Sequence, residues 1–201
     1  MKPLSSIITA LAIMGSGIFA NEAKAEDPTP IIDMTDLSTD NVSVSLNMGS
    51  KHVQQSSYYD WFSNEKIPYN ETNPGLGIQY DFATVASKSA RLYVTAGGYE
   101  NSFYETTYYA GLGIVTDNHR FLGPRLDFGA ELHATHGYRT LDGDKPAILP
   151  LPHLFAEYEI KKNFNLRVGY LPSHIGEKLG FIPDGEAVDV ITFSANYKFG
   201  N

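Results

Sequence analysis

The feature that most constrains the fold of this chain is an alternation of apolar and polar residues with a period of two. It is clearest close to the C-terminus, where the apolar positions are Ile191, Phe193, Ala195, Tyr197 and Phe199. Successive side chains of a β-strand point to opposite sides, so this pattern predicts a strand with one apolar face and one polar face.

The same alternation recurs along most of the chain and predicts eight strands. They are expected near residues 41 to 50, 74 to 83, 91 to 100, 106 to 116, 123 to 138, 150 to 161, 164 to 172 and 188 to 199. Their lengths centre on about ten residues, the length that a tilted strand needs to cross a membrane. Long and short connections alternate, as in bacterial outer-membrane barrels. The predicted fold class is therefore all-β, an eight-stranded antiparallel outer-membrane β-barrel, with a soluble barrel or sandwich as the alternative.

The N-terminus predicts export. Lys2 precedes an apolar stretch that is followed by the small-residue pattern Ala23-Lys24-Ala25, which is the layout of a secretory signal cleaved after residue 25. A membrane anchor is the alternative, but serines and glycines interrupt the stretch, whereas a spanning helix is predominantly apolar. Residues 26 to 40 show little periodicity and are predicted to be a periplasmic N-terminal segment, so that the barrel occupies residues 41 to 201.

Composition excludes several classes of function. The 15 Lys and Arg against 23 Asp and Glu give a net charge of -8, and no basic run is present, so a nucleic-acid surface is not expected. The absence of cysteine excludes thiolate metal sites and cysteine nucleophiles. His133 and His136 are three residues apart, which places them on opposite faces of a strand and not in a metal pair. We therefore expect chemistry by oxygen or imidazole, with no metal and no soluble cofactor.

Strand order places several polar residues on the outer rim of the predicted barrel. His52 follows the first strand, Asn101 and Ser102 lie between the third and fourth, and Arg139 follows the fifth. An imidazole base and a hydroxyl on one rim are components of an acyl-transfer site. The alternative is that these are ordinary solvated loop residues.

The residues in this order resemble the PagP lipid A palmitoyltransferases, which are eight-stranded outer-membrane barrels that move an acyl chain from a phospholipid to lipid A. The resemblance covers most of residues 41 to 172 in short segments. These are His52 with Tyr69-Asn70-Glu71 and Pro74-x-x-Gly77, Asn101-Ser102 with Ala110-Gly111-x-Gly113, Pro150-Leu151-Pro152, and Tyr170-Leu171-Pro172.

The resemblance implies roles for the rim residues. His52 and Ser102 would be catalytic, and Arg139 would match a functionally important rim arginine. Asn101 stands where the family has a carboxylate, so a mechanism that needs this carboxylate is impaired. An amide can still donate a hydrogen bond to a developing oxyanion.

The resemblance also implies how lipids would be admitted. Gly113 would be the floor of an internal hydrocarbon ruler that sets the acyl length. Pro74 and Pro172 would match prolines that lack an amide donor and weaken strand pairing, so that lipids enter sideways. The alternative for each is structural, namely close packing at Gly113 and ordinary strand ends at the prolines.

The resulting hypothesis is an outer-membrane acyltransferase that moves a palmitoyl-like chain from a phospholipid donor to lipid A or a related lipid acceptor, acting as a monomer. One alternative is a lipid A deacylase of the PagL kind, although the His-x-Ser-Asn signature of that family is absent. The other is a non-enzymatic barrel that binds lipids or other surfaces. The interior discriminates between them, because small apolar residues above Gly113 indicate an acyl tunnel and polar ones favour the non-enzymatic barrel.

Overall fold

A computed structural model gives the structure of the protein, in which the described residues are 32–53, 56–60, 64–85, 89–116, 125–139, 146–178 and 188–200, without the side chains of residues 59, 60, 138, 139, 146, 147, 176 and 177. The chain divides into two units between Pro30 and Ile31, and every described residue belongs to the second. The predicted signal peptide lies outside the described residues and stays a prediction.

The described residues are mostly β-strand. The strands are β1 (Ile32–Met34), β2 (Val42–His52), β3 (Ser57–Asp60), β4 (Glu65–Pro68), β5 (Gly75–Val85), β6 (Ala90–Glu100), β7 (Thr106–Thr116), β8 (Leu126–Arg139), β9 (Pro146–Lys161), β10 (Phe164–Leu171) and β11 (Val190–Lys198). A 3-10 turn spans Thr39–Asn41, and a short helix, α1, spans Ser173–Lys178. In the described part of the chain, no helix is long and apolar enough to cross a membrane.

Eight of these strands form a closed antiparallel barrel. Each strand from β5 to β11 pairs with the next, and β2 closes the barrel by pairing with both β11 and β5. The prediction of an all-β, eight-stranded antiparallel barrel is confirmed. β1 pairs with the far end of β5, and β3 and β4 form a separate hairpin in the connection between β2 and β5.

The strand boundaries follow the predicted ones closely, with β9 as the main exception. β9 begins at Pro146, where the alternation predicted a start near residue 150. It pairs with β8 along its length, from Pro146 opposite Arg139 to Tyr158 opposite Leu126. Its pairing with β10 is shorter and ends at Leu154 opposite Tyr170.

The apolar and polar faces are inverted relative to a soluble barrel. Leu76, Leu112 and Phe128 point outward and are 63%, 60% and 52% exposed, whereas Gln79 and Asp81 point inward and are buried. Apolar side chains outside and polar side chains inside are the arrangement of membrane barrels. The barrel is therefore compatible with an outer-membrane protein.

One end of the barrel, which we call the rim, carries the predicted site residues. β2 and β6 end there, and β5 and β7 begin there. Glu100 at the end of β6 donates its backbone N–H to Pro74 at the start of β5 over 3.0 Å. This contact brings the connection before β5 and the β6–β7 loop together at the rim.

Candidate functional site

His52 is buried at the rim, at the last position of β2. Its imidazole stacks on Tyr69, with ring centroids 3.9 Å apart and an angle of 11° between the planes. Tyr58 and Phe103 extend this aromatic cluster, with Tyr58 4.9 Å from Phe103. Residues from β3, from just after β4 and from the β6–β7 loop thus form one aromatic cluster with the imidazole.

The Nδ1 atom of His52 has no hydrogen-bond partner among the described residues, although it is shielded from solvent. Buried polar atoms in native proteins are usually paired. An unpaired ring nitrogen keeps its lone pair or its proton available. The imidazole is therefore held in position by stacking and not by a hydrogen bond to a neighbouring side chain.

Ser102 lies on the same rim, in the loop between β6 and β7. Its backbone carbonyl accepts a hydrogen bond from the Asn70 N–H over 2.9 Å, which ties the loop to the residue after Tyr69. Its hydroxyl lines the cavity inside the barrel and makes no hydrogen bond within the described residues. His52 and Ser102 are thus linked through Tyr69 and Asn70, without a direct hydrogen bond between their side chains in the described structure.

Asn101 is fully buried and organises the loop. Its Oδ1 accepts hydrogen bonds from the backbone N–H groups of Phe103 and Glu105, at 2.8 and 3.0 Å. Its Nδ2 donates to Thr107 Oγ1 at 3.0 Å and to the Gly137 carbonyl at 3.2 Å. Both donor positions of the amide are used, so the oxyanion-donor role expected for Asn101 has no free donor in this geometry.

A polar network that was not predicted from the sequence supports the two loops. Asn70 Nδ2 donates to Glu100 Oε1 at 2.6 Å, and Asn73 Nδ2 donates to the Glu100 carbonyl at 3.0 Å. Ser50 Oγ donates to Asn73 Oδ1. Asn70 was part of the Tyr69-Asn70-Glu71 segment of the family resemblance, whereas Ser50, Asn73 and Glu100 were not singled out from the sequence.

The cavity runs from the rim into the barrel and changes in character with depth. Near the rim its lining includes Tyr99 and Leu171 along with Ser102. Deeper, it is lined by Glu131, His133, His153 and Arg167. The cavity therefore has a mixed apolar and polar upper part and a charged floor.

Glu131 is the centre of this floor. Its Oε1 accepts hydrogen bonds from the Tyr93 hydroxyl and from Arg167 Nη1, each at 2.5 Å. Arg167 also binds Glu157 Oε1 at 2.6 Å, and its guanidinium lies 3.9 Å from the centre of the Phe155 ring. Sequence reasoning did not single out these residues, although each occupies the polar phase of an alternating strand.

The structure places Gly113 at the level of this floor, directly opposite Glu131 in the strand pairing and facing inward against the Tyr93 ring. A Cβ atom on Gly113 would overlap the ring, and Tyr93 is itself completely buried. The glycine therefore allows a tyrosine to pack closely against the wall of β7. The space above Gly113 holds polar side chains and not a hydrocarbon tunnel.

The remaining predicted site residues are distributed around the rim. Pro74 immediately precedes β5, and Pro172 lies between β10 and α1, where its carbonyl accepts the Ile175 N–H at 3.0 Å. Arg139 is the last residue of β8, with its backbone opposite Pro146, and its side chain lies outside the described residues. His133 faces inward and His136 is exposed, so these two histidines lie on opposite faces as predicted.

No protein-family model and no curated protein matches this chain.

Proposed function

We propose that this protein is an outer-membrane β-barrel enzyme that transfers a short acyl group from a phospholipid to lipid A or a related lipid acceptor at its rim. The observation that carries the proposal is the pairing of two features at one rim. A buried imidazole, His52, has an unpartnered Nδ1, and a hydroxyl without a hydrogen bond, Ser102, lines the cavity. The proposal rests on this geometry together with the resemblance to the PagP family.

The outward face of the barrel supports a position in the membrane. Large apolar side chains are exposed on strands all around it, including Leu46, Leu76, Leu112, Leu154 and Phe193. A soluble monomer rarely exposes a continuous apolar surface of this extent. An outer-membrane environment would cover this belt with lipid and present the rim to lipid head groups.

A gap in strand pairing supports sideways entry of a lipid. β9 continues from Leu154 to Pro146 without pairing to β10, which ends at Leu171. β9 carries Pro150 and Pro152 in this unpaired stretch, and proline has no N–H to donate. An acyl chain that enters here would break no hydrogen bonds between β9 and β10, but it would have to pass α1, which follows β10 and contacts β9.

The charged floor supports a short acyl group. The cavity ends on Glu131, His153 and Arg167, and burying methylene groups against charged side chains gains little and desolvates the ions. A palmitoyl-like chain, as the family resemblance implies, would have to pass between these charged side chains, which lie at the level of Gly113. The floor therefore sets the acyl length in the proposed enzyme, in place of the ruler expected at Gly113.

The proposed chemistry uses His52 as a general base. The imidazole removes the proton of the acceptor hydroxyl, whose oxygen attacks the ester carbonyl of the phospholipid donor. The ester bond to the glycerol oxygen breaks, and this oxygen takes the proton back from the imidazolium. Ser102 donates its hydroxyl proton as a hydrogen bond to the carbonyl oxygen while charge develops there.

The test is mass spectrometry of lipid A and phospholipids from bacteria that lack other lipid A acyltransferases. Cells that produce the wild-type protein should contain a lipid A species heavier by one short acyl group, together with the matching lysophospholipid. His52→Ala should reduce this product about 100- to 10,000-fold, as expected for loss of a general base, and Ser102→Ala should also reduce it.

Two matched variants control for folding and expression. His136→Ala changes a histidine on the outward face of β8, and Ser57→Ala changes a serine of the β3–β4 hairpin, so neither should alter the lipid product. A product that persists in both His52→Ala and Ser102→Ala would contradict the assigned roles. A lipid A species that is lighter by one chain would instead indicate deacylation.

A non-enzymatic barrel is the second candidate function, and the charged interior favours it. The polar residues above Gly113 leave no long tunnel, and Asn101 replaces the carboxylate of the family and serves the loop structure. Unchanged lipids in cells with a folded wild-type barrel would favour this second candidate over the acyltransferase.

A further inference from the structure

Three potential metal ligands converge inside the barrel, on two neighbouring strands. Glu131 and His133 are two residues apart on β8, so both side chains point to the same face. His153 on β9 lies directly opposite Glu131 in the strand pairing. All three line the cavity floor, which is separate from the rim residues of the proposed function.

The ligand atoms are close enough to share one ion. His133 Nε2 lies 3.0 Å and His153 Nδ1 lies 2.8 Å from Glu131 Oε2. The three ligand atoms all lie within 4.8 Å of one another. Zinc bonds of about 2.0–2.1 Å in a tetrahedral site place ligand atoms about 3.4 Å apart, so small side-chain rotations would complete the geometry.

His133 Nε2 is the observation that points to a missing ligand. This atom is shielded from solvent and makes no hydrogen bond among the described residues, although Glu131 Oε2 is near. A buried nitrogen without a partner costs free energy that an ion bound to its lone pair would recover.

The surroundings of the three ligands suit a bound ion. His153 Nε2 lies 2.9 Å from Thr192 Oγ1, a contact that orients the ring and leaves Nδ1 directed at Glu131. Arg167 binds the other carboxylate oxygen, Oε1, and shares its charge with Glu157. Two carboxylates with one guanidinium leave a net negative charge near the histidines.

We propose that Glu131, His133 and His153 bind a divalent transition-metal ion of the zinc class, with a further coordination position open to the cavity. Two histidines and one glutamate, with an open position, are a ligand set of catalytic zinc sites. The open side would admit water or an oxygen-bearing ligand from the rim. This proposal does not depend on the acyltransferase activity.

The test uses Co²⁺ as a spectroscopic probe of the purified, folded protein in detergent, after treatment with a chelator. Co²⁺ bound by two histidines and a carboxylate gives visible absorption bands, and added Zn²⁺ should abolish them by displacement. The bands should be lost in His133→Ala and His153→Ala and retained in His136→Ala. Thr192→Val should weaken Co²⁺ binding about 10- to 100-fold, as loss of a group that orients a ligand does.

His133→Ala keeps the test decisive, because Glu131 remains held by Tyr93, His153 and Arg167, so the barrel should stay folded, which circular dichroism verifies. Loss of the bands in folded His133→Ala supports the site even where His153→Ala does not fold. Absence of the bands in the wild type, or unchanged bands in folded His133→Ala, would overturn the proposal.

Discussion

Asn101 uses its side-chain amide to hold the rim together, with two acceptor contacts inside its own loop and two donor contacts that reach β7 and β8. The structure gives a physical reason for an amide, and not a carboxylate, at this position. The donors are directed at a hydroxyl and at the carbonyl of Gly137, and a carboxylate cannot donate to a carbonyl.

A carboxylate at position 101 should therefore destabilise the rim and not activate the site. Asn101→Asp would place a carboxylate oxygen against the Gly137 carbonyl, and we expect it to lower the free energy of unfolding by about 1–3 kcal/mol. Urea unfolding of the protein in detergent measures this change. Asn64→Asp, at an exposed position with φ of 58°, is the matched control and should have little effect. Unchanged stability with increased lipid product in Asn101→Asp would contradict the structural role.

At the scale of the strands, the alternation in the sequence was sufficient to predict the eight barrel strands but not the direction of each face. A period of two shows that Leu112 and Gly113 point to opposite sides. It does not show which side is the interior. The inward face became evident only with closure of the barrel, because closure places Glu131, Glu157 and Arg167 within reach of one another.

The charged floor could not be predicted from one sequence, because it depends on register between strands. Glu131 and His133 share a face by their spacing, but His153 joins them only because β9 pairs with β8 in one particular register. The β3–β4 hairpin and α1 were also not predicted, since elements this short carry too few residues to show a period. The rim position of His52 and Ser102, by contrast, followed from strand order alone.

A charge on the outward face of a strand discriminates a membrane barrel from a soluble one. Leu112 is exposed in the middle of β7, so Leu112→Arg would cost little in water. In a bilayer we expect it to lower the free energy of unfolding by about 2–4 kcal/mol, and Thr106→Arg at the rim end of the same strand by about 0–1 kcal/mol. Urea titrations of each variant folded into lipid vesicles measure the two changes in the free energy of unfolding. Equal effects of the two substitutions would argue against a lipid-facing position of Leu112.

On the scale of the whole molecule, buried ion pairs connect distant strands across the interior. Asp81 binds Arg91 and Lys198 toward the end opposite the rim, and Arg167 binds Glu131 and Glu157 beneath the cavity. These contacts join β5, β6 and β11 in one layer and β8, β9 and β10 in the other. Barrel closure and charge pairing support each other in the first layer, because Lys198 on β11 reaches Asp81 on β5 only when the barrel is closed.

Arg167 is the residue on which the layer formed by β8, β9 and β10 depends most. Arg167→Met would leave Glu131 and Glu157 as buried carboxylates without their guanidinium, and we expect a loss of about 3–5 kcal/mol in the free energy of unfolding. The triple variant Arg167→Met, Glu131→Gln, Glu157→Gln should recover most of this loss, since it removes the unpaired charges as well.

Arg125→Met, which breaks a partly exposed pair with Asp127, is the control and should cost about 0–1 kcal/mol. Urea unfolding with a chelator present excludes any contribution from bound metal. A triple variant as unstable as Arg167→Met alone would mean that lost packing against Phe155, and not unpaired charge, accounts for the effect.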